Sequence, residues 1–101
     1  MIKAKVVGSG GYGGVGIIEL LLRHPQARIS CLVDVTDVGA PISALYPHLA
    51  GFCDMPIVAP DDPRAQEPAD VVFFSTPDGV GMQFAQHELE RGTRVIDYSG
   101  D

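Results

Sequence analysis

The residues with the most evident chemistry lie between Gly8 and Gly16, where the stretch GSGGYGGVG carries six glycines in nine positions. Such a run is either a flexible linker or a turn that brings backbone amides onto a phosphate, where any side chain would be in the way. The flanks favour the turn, because IKAKVV before it and IIELLLRH after it are patterned and rich in aliphatic residues, not the polar, unpatterned neighbours of a linker. Gly8, Gly10 and Gly13 fit the G-x-G-x-x-G spacing, in which one glycine makes the tight turn, one admits a pyrophosphate and one lets helix meet strand. Gly8, Gly11 and Gly14 fit a second spacing, G-x-x-G-x-x-G, so Gly10 and Gly11 can each claim the middle place. In either register Gly8, Ser9, Gly10, Gly11, Tyr12, Gly13 and Gly14 are candidate cofactor-binding residues. The start of a helix offers its unpaired amides and the positive end of its dipole to the phosphates of NAD or NADP.

Two further groups belong to the same chemistry. Asp34 ends a second apolar run about 20 residues beyond the turn, where a carboxylate accepts hydrogen bonds from the adenine-ribose diol and repels a 2′-phosphate. That reading favours NAD over NADP; aspartate is also a common former of the turn that follows a strand. Ser75, Thr76 and Pro77, in STPDGVG, stand at the end of a later strand, where open parallel sheets bind ligands, and are candidate cofactor contacts; the same residues make good turn chemistry.

Other clusters promise less. His48, Cys53 and Asp54 suggest a nucleophile and base, but nearness in sequence establishes no geometry, and Cys53 reads as a small packed hydrophobe. DDPRAQEPAD is rich in carboxylates and prolines and reads as a solvated connection, not a metal site. His24 and His87 read as helix-surface residues. Cys31 and Cys53 lack metal-ligand or CxxC spacing and are expected to be free thiols. No catalytic residue and no metal ligand is assigned.

The elements that must position these groups follow from periodicity. Ile2 to Val7 reads as a strand, and about Gly13 to His24 as a helix with Val15, Ile18, Leu21 and Leu22 apolar at helical spacing, ended by Pro25. RISCLVD is a second strand, its nearly continuous apolar character expected when both faces of a parallel sheet are covered. Val35 to Pro63 reads as a long connection packed locally through Leu45, Tyr46 and Leu49, with one brief strand candidate from Met55 to Ala59. ADVVFFST is a buried strand. Gly79 to Arg91 is a helix with Val80, Phe84, Ala85 and Leu89 on one face, capped by Asp78 and ended by Gly92, and TRVIDYSGD supplies a last strand. Alternating strands and helices predict a Rossmann-like, doubly wound parallel sheet of order 3-2-1-4-5, with Ile2 to Val7 central.

The chain has 101 residues, enough for one domain (1–101) and too few for two. A formal net charge of -6, with seven scattered Lys and Arg, argues against nucleic acid as a partner. No apolar run approaches the roughly 20 residues needed to span a bilayer, and no signal peptide is recognisable, so a cytoplasmic location is expected.

Taken together, GSGGYGGVGIIELLLRHP, YPHLAG, ADVVFFSTPDGV and RVIDYSGD resemble the N-terminal part of the N-acetyl-gamma-glutamyl-phosphate reductases, within the wider semialdehyde dehydrogenase family. The resemblance spans essentially the whole chain. It implies an enzyme of arginine biosynthesis that reduces an acyl phosphate to a semialdehyde with NADPH through a cysteine thioester, and a homo-oligomer when complete. The thiolate displaces phosphate, and the bound thioester then receives hydride. In that family the cysteine, the acid-base histidine and the substrate domain lie beyond the point this chain reaches, so these residues are expected to bind cofactor and not to catalyse. Three positions depart from the family pattern: Ser9-Gly10 for Ala-Thr, Asp34-Val35 for Ser-Arg, which would suit a 2′-phosphate, and Pro77-Asp78 for Pro-His. Aspartyl- or aminoadipyl-phosphate reductases share the same domain logic, and a stand-alone nucleotide- or redox-sensing module is the alternative outside enzymology.

Overall fold

A computed structural model describes residues 1–74 and 79–97, the side chains of 79–82 excepted. Five strands, β1 (Ile2–Val7), β2 (Ala27–Val33), β3 (Ile57–Val58), β4 (Val71–Phe74) and β5 (Arg94–Asp97), form one parallel sheet of order β3-β2-β1-β4-β5. This is the predicted order, with β1 at the centre. The longer helices are α1 (Tyr12–Arg23) and α4 (Gly79–Glu90); the connection from β2 to β4 holds α2 (Ile42–Leu45), a 3-10 turn (Pro47–Leu49) and α3 (Pro63–Gln66).

Strand alternation divides the core between the two faces of the sheet. Val6 and Leu32 pack with Val15, Ile18 and Leu21 of α1 and with Ile42, Leu49 and Ile57. Val7 and Val33 point the other way, toward Ala65 of α3, Val72, Phe74 and Phe84 of α4. Both faces are therefore covered where Cys31, Leu32 and Val33 stand, which is why that strand has no polar alternation. The pairing of β1 with β2 slips between Ala4 and Lys5: Ala4 opposes Ile29, Lys5 opposes Cys31, and Ser30 is the extra residue of a bulge, its hydroxyl donating to the Ala4 carbonyl at 3.3 Å.

Several expectations are corrected in detail. Helix α1 begins at Tyr12 and ends at Arg23, with His24 as its C-cap, and Leu22 is exposed although it was placed on the apolar face. The strand expected over Met55 to Ala59 shortens to Ile57–Val58. The connection read as solvated is partly built: the Asp62 carboxylate caps α3 by accepting the Arg64 amide at 2.8 Å and pairs with the Arg64 guanidinium at 3.0 Å, which holds its carboxyl below the ordinary range. Helix α4 ends where expected: Gly92 takes φ +87°, its amide donates to the Leu89 carbonyl and the Thr93 amide to the Glu88 carbonyl, the two hydrogen bonds of a Schellman cap. Its buried face differs from expectation, for Leu89 is 56% exposed while Glu88 is fully buried. The Val80 side chain and the proposed Asp78 cap lie outside the described residues.

Glu88 is buried because Lys5 of β1 lies beneath it. Lys5 Nζ donates to Glu88 Oε2 at 2.7 Å and to the Ala65 carbonyl at 2.7 Å, and sits 5.5 Å from the centre of the Phe84 ring. Thr93 Oγ1 donates to the other Glu88 oxygen at 2.9 Å, and Arg91 Nη1 approaches Oε2 to 3.5 Å. A buried charge is tolerated when its partners replace water, and this pair is satisfied from α3, α4 and the turn before β5.

Candidate functional site

The carboxyl ends of β1 and β2, the glycine turn and the start of α1 converge on one corner of the sheet. Gly8 leaves β1 with φ +85°, a conformation that a side chain disfavours, and the Gly8 and Ser9 amides both donate to the Val33 carbonyl, at 2.8 and 3.2 Å. Ser9 is fully buried and its hydroxyl also faces the Val33 carbonyl, at 3.3 Å, so this candidate contact is turned into the sheet. The Gly11 amide closes back on the Gly8 carbonyl at 3.1 Å.

The two glycine spacings are distinguished by Gly14. A Cβ there would overlap the Gly8 carbonyl oxygen and stand 2.7 Å from the Ser9 Cα, backbone atoms that cannot swing aside. Gly14 is thus the glycine at which helix meets strand, whereas Gly13, given that place by G-x-G-x-x-G, is exposed. Gly8 and Gly14, the outer glycines of G-x-x-G-x-x-G, meet here, while a Cβ at Gly11 would stand 3.6 Å from the Gly8 carbonyl oxygen, an ordinary contact. Gly10 is crowded for another reason: a Cβ there would stand 3.0 Å from Asp34 Oδ2 and 3.6 Å from Leu45 Cδ2, so Asp34 would have to give way.

Asp34 turns out to be bound to the turn. Its Oδ2 accepts the Gly10 amide at 2.9 Å and its Oδ1 the Val35 amide at 2.7 Å, so the carboxylate both shapes the loop after β2 and holds the glycine turn. Each carboxylate oxygen retains a second acceptor direction, which a ribose hydroxyl can use. On the far side of Gly10 its carbonyl accepts the Tyr46 hydroxyl at 2.8 Å. The sequence gives Tyr46 only a place in local packing, for a phenol that reaches a glycine loop from 36 residues away has no signature in it.

With these bonds in place, the amides of Gly8, Ser9, Gly10 and Gly11 are spent within the fold. The first intrahelical bond of α1 runs from the Val15 amide to the Gly11 carbonyl, so the amides of Tyr12, Gly13 and Gly14 precede it and have no partner among the described residues. Three amides at a helix start, beside a Gly14 that leaves no space for a Cβ and with no acidic residue in the first helical turn, fit a pyrophosphate. Tyr12, the first residue of α1, is 88% exposed. Ser75, Thr76 and Pro77 lie outside the described residues.

The remaining chemically suggestive groups do not converge. His48 pairs with Glu19 at 2.6 Å, Asp54 accepts the Gly51 amide at 3.1 Å, and Cys53 is buried in the core on the α1 face. Cys31 is buried against the opposite face, and burial pushes its thiol up, away from thiolate. Among the described residues no group of three metal-ligating side chains comes together, and no helix is long and apolar enough to cross a membrane.

A doubly wound parallel sheet whose central strand runs through a glycine turn into a helix defines the Rossmann-like class of NAD(P)-binding domain. Residues 3–101 match the family model described as semialdehyde dehydrogenase, NAD binding domain, and the chain belongs to that family. It is 42% identical over 101 residues to N-acetyl-gamma-glutamyl-phosphate reductase of Nitrosococcus oceani, covering 100% of this chain and 29% of that protein. The enzyme of the same name from Streptococcus sanguinis is 43% identical over 100 residues, 99% of this chain and 29% of the relative. That from Pseudomonas aeruginosa is 43% identical over 102 residues, again covering 100% and 29%. The chain thus spans under a third of the length of these relatives. Among solved structures, aspartate semialdehyde dehydrogenase with NADP from Candida albicans superposes with a TM-score of 0.76 at 23% identity, over 96% of this chain and 29% of that one, a likeness of fold.

Proposed function

We infer that this chain is the cofactor-binding part of an N-acetyl-gamma-glutamyl-phosphate reductase, which converts an acyl phosphate to a semialdehyde in arginine biosynthesis. The observation that carries this reading is identity above 40% over the full length of the chain to reductases of that name. The glycine turn supports it: the amides of Tyr12, Gly13 and Gly14 would hold the pyrophosphate, and Gly14 brings the helix close enough to do so. Bound NADPH or NADH supplies hydride. The residues of this chain bind and orient the dinucleotide, and the thiol chemistry and substrate recognition fall to the remainder of the protein. Ser75, Thr76 and Pro77 are proposed to contact the cofactor from the end of β4. The intact protein is read as a cytoplasmic homo-oligomer.

Asp34 inclines the site toward NADH. Its carboxylate stands where the adenine ribose is expected, and a 2′-phosphate would bring a second negative charge beside it. In the intact protein, Asp34→Ser is expected to improve NADPH relative to NADH, read as the ratio of the two dissociation constants. An unchanged ratio would assign Asp34 to the turn alone. The reaction itself is tested by following oxidation of the reduced cofactor with N-acetyl-gamma-glutamyl phosphate as substrate. Turnover with aspartyl or aminoadipyl phosphate instead would move the protein to a sibling reductase, and binding without turnover on any acyl phosphate would favour a nucleotide-sensing module.

A further inference from the structure

The amide and the carbonyl of Gly10 are both held by side chains, and those side chains come from two different elements. Asp34, just past β2, takes the amide at 2.9 Å, and Tyr46, at the end of α2, takes the carbonyl at 2.8 Å. Tyr46 is itself well anchored. Its amide donates to the Ile42 carbonyl at 3.0 Å, and Ile42 is fully buried in the core. Its ring meets His48 edge-on, at 6.3 Å between centroids, and His48 pairs with Glu19 on α1 at 2.6 Å. The segment from Tyr46 to His48 thus reaches both the glycine turn and the helix that follows it.

A turn with this many glycines has a large conformational entropy to lose when a ligand orders it. Free to rotate, the Gly10 peptide could also turn its carbonyl oxygen toward an incoming phosphate, where it would repel. We propose that Tyr46 is a positioning residue for the dinucleotide: its hydroxyl fixes the Gly10 carbonyl, opposite the Asp34 clamp, and so pre-forms the cradle presented by the amides of Tyr12, Gly13 and Gly14. Burial and the neighbouring Tyr12 and Asp34 push the Tyr46 phenol above its ordinary range, which already lies well above neutral pH, so the hydroxyl is a donor there. The inference rests on the turn being the cofactor site.

Tyr46→Phe keeps the ring and removes the hydroxyl. In the intact protein it is expected to weaken NADH and NADPH alike by about 3- to 10-fold, the worth of one hydrogen bond, leaving their ratio unchanged. The loss should fall on the KM for cofactor more than on kcat, with faster hydrogen exchange at the amides of Gly10 to Gly14 and little change in the thermal midpoint. Unchanged affinity for both cofactors would overturn the role of Tyr46 while leaving the site intact, as would a lowered midpoint with unchanged affinity. Failure of the unmodified protein to bind either cofactor would overturn the site, and this inference with it.

Discussion

Gly14 and Gly16 sit two residues apart on the same helix and make opposite demands. A methyl group at Gly14 would collide with the Gly8 and Ser9 backbone, whereas at Gly16 nothing lies within 4 Å of the built Cβ. Gly14→Ala should therefore force the helix away from the turn, at a cost of about 1–3 kcal/mol or more, and impair cofactor binding. Gly16→Ala should be neutral or stabilising by up to about 1 kcal/mol, since alanine is the better helix former. Denaturant unfolding of the two variants separates these outcomes, and equal midpoints would mean that α1 can shift at no cost. The sequence showed that several glycines were needed here, but it could not say which, because two spacings overlap in the same nine residues. The answer depended on how near α1 comes to the end of β1. Gly10 was legible as a glycine but not for its reason, which is the carboxylate of Asp34 and the side chain of Leu45 beside it.

Among the elements, α4 shows where periodicity misleads. Helical spacing pointed to Leu89 as an inward residue, yet the helix is rotated so that Glu88 faces the sheet. The cause lies in β1, where Lys5 faces the covered side of a central strand and requires a partner. Lys5, between Ala4 and Val6 in the inner half of a central strand, was the signal that could have found this pair, since lysine is almost never fully buried unpaired. Its partner is 83 residues away and could not be named from sequence. Glu88→Ala takes the carboxylate from buried Lys5, leaving it only the Ala65 carbonyl, and is expected to cost about 3–5 kcal/mol, a large part of a small domain's stability. The double variant Lys5→Met with Glu88→Leu should recover most of that loss. A Glu88→Ala midpoint in urea equal to that of the parent would show that Lys5 finds water or another acceptor. The short helices α2 and α3 were missed for a different reason: at four residues each they hold too little period to register, and packing of Ile42 and Ala65 keeps them folded.

For the molecule as a whole, the functional reading makes a thermodynamic demand. A dinucleotide that binds the native turn and not the unfolded chain must stabilise the fold, by about 2.7 kcal/mol at a concentration one hundred times its dissociation constant. Scanning calorimetry of the intact protein with NADH or NADPH should show the midpoint rising with concentration, and no rise with either would contradict the assignment of the site. The sheet order, the central place of Ile2 to Val7, the glycine turn between strand and helix and the acid at the end of β2 were all determined by the sequence itself. They are carried by local period and by the rule that parallel crossovers are right-handed, which hold over spans of 30 residues or so. Tertiary structure alone decided which glycine meets the strand, which amides remain for a ligand, that Tyr46 and Asp34 hold Gly10 from two sides, and that Glu88 is buried on Lys5. Each of these depends on distances between groups far apart in the chain, and local pattern carries no information about such distances until the helices are packed on the sheet.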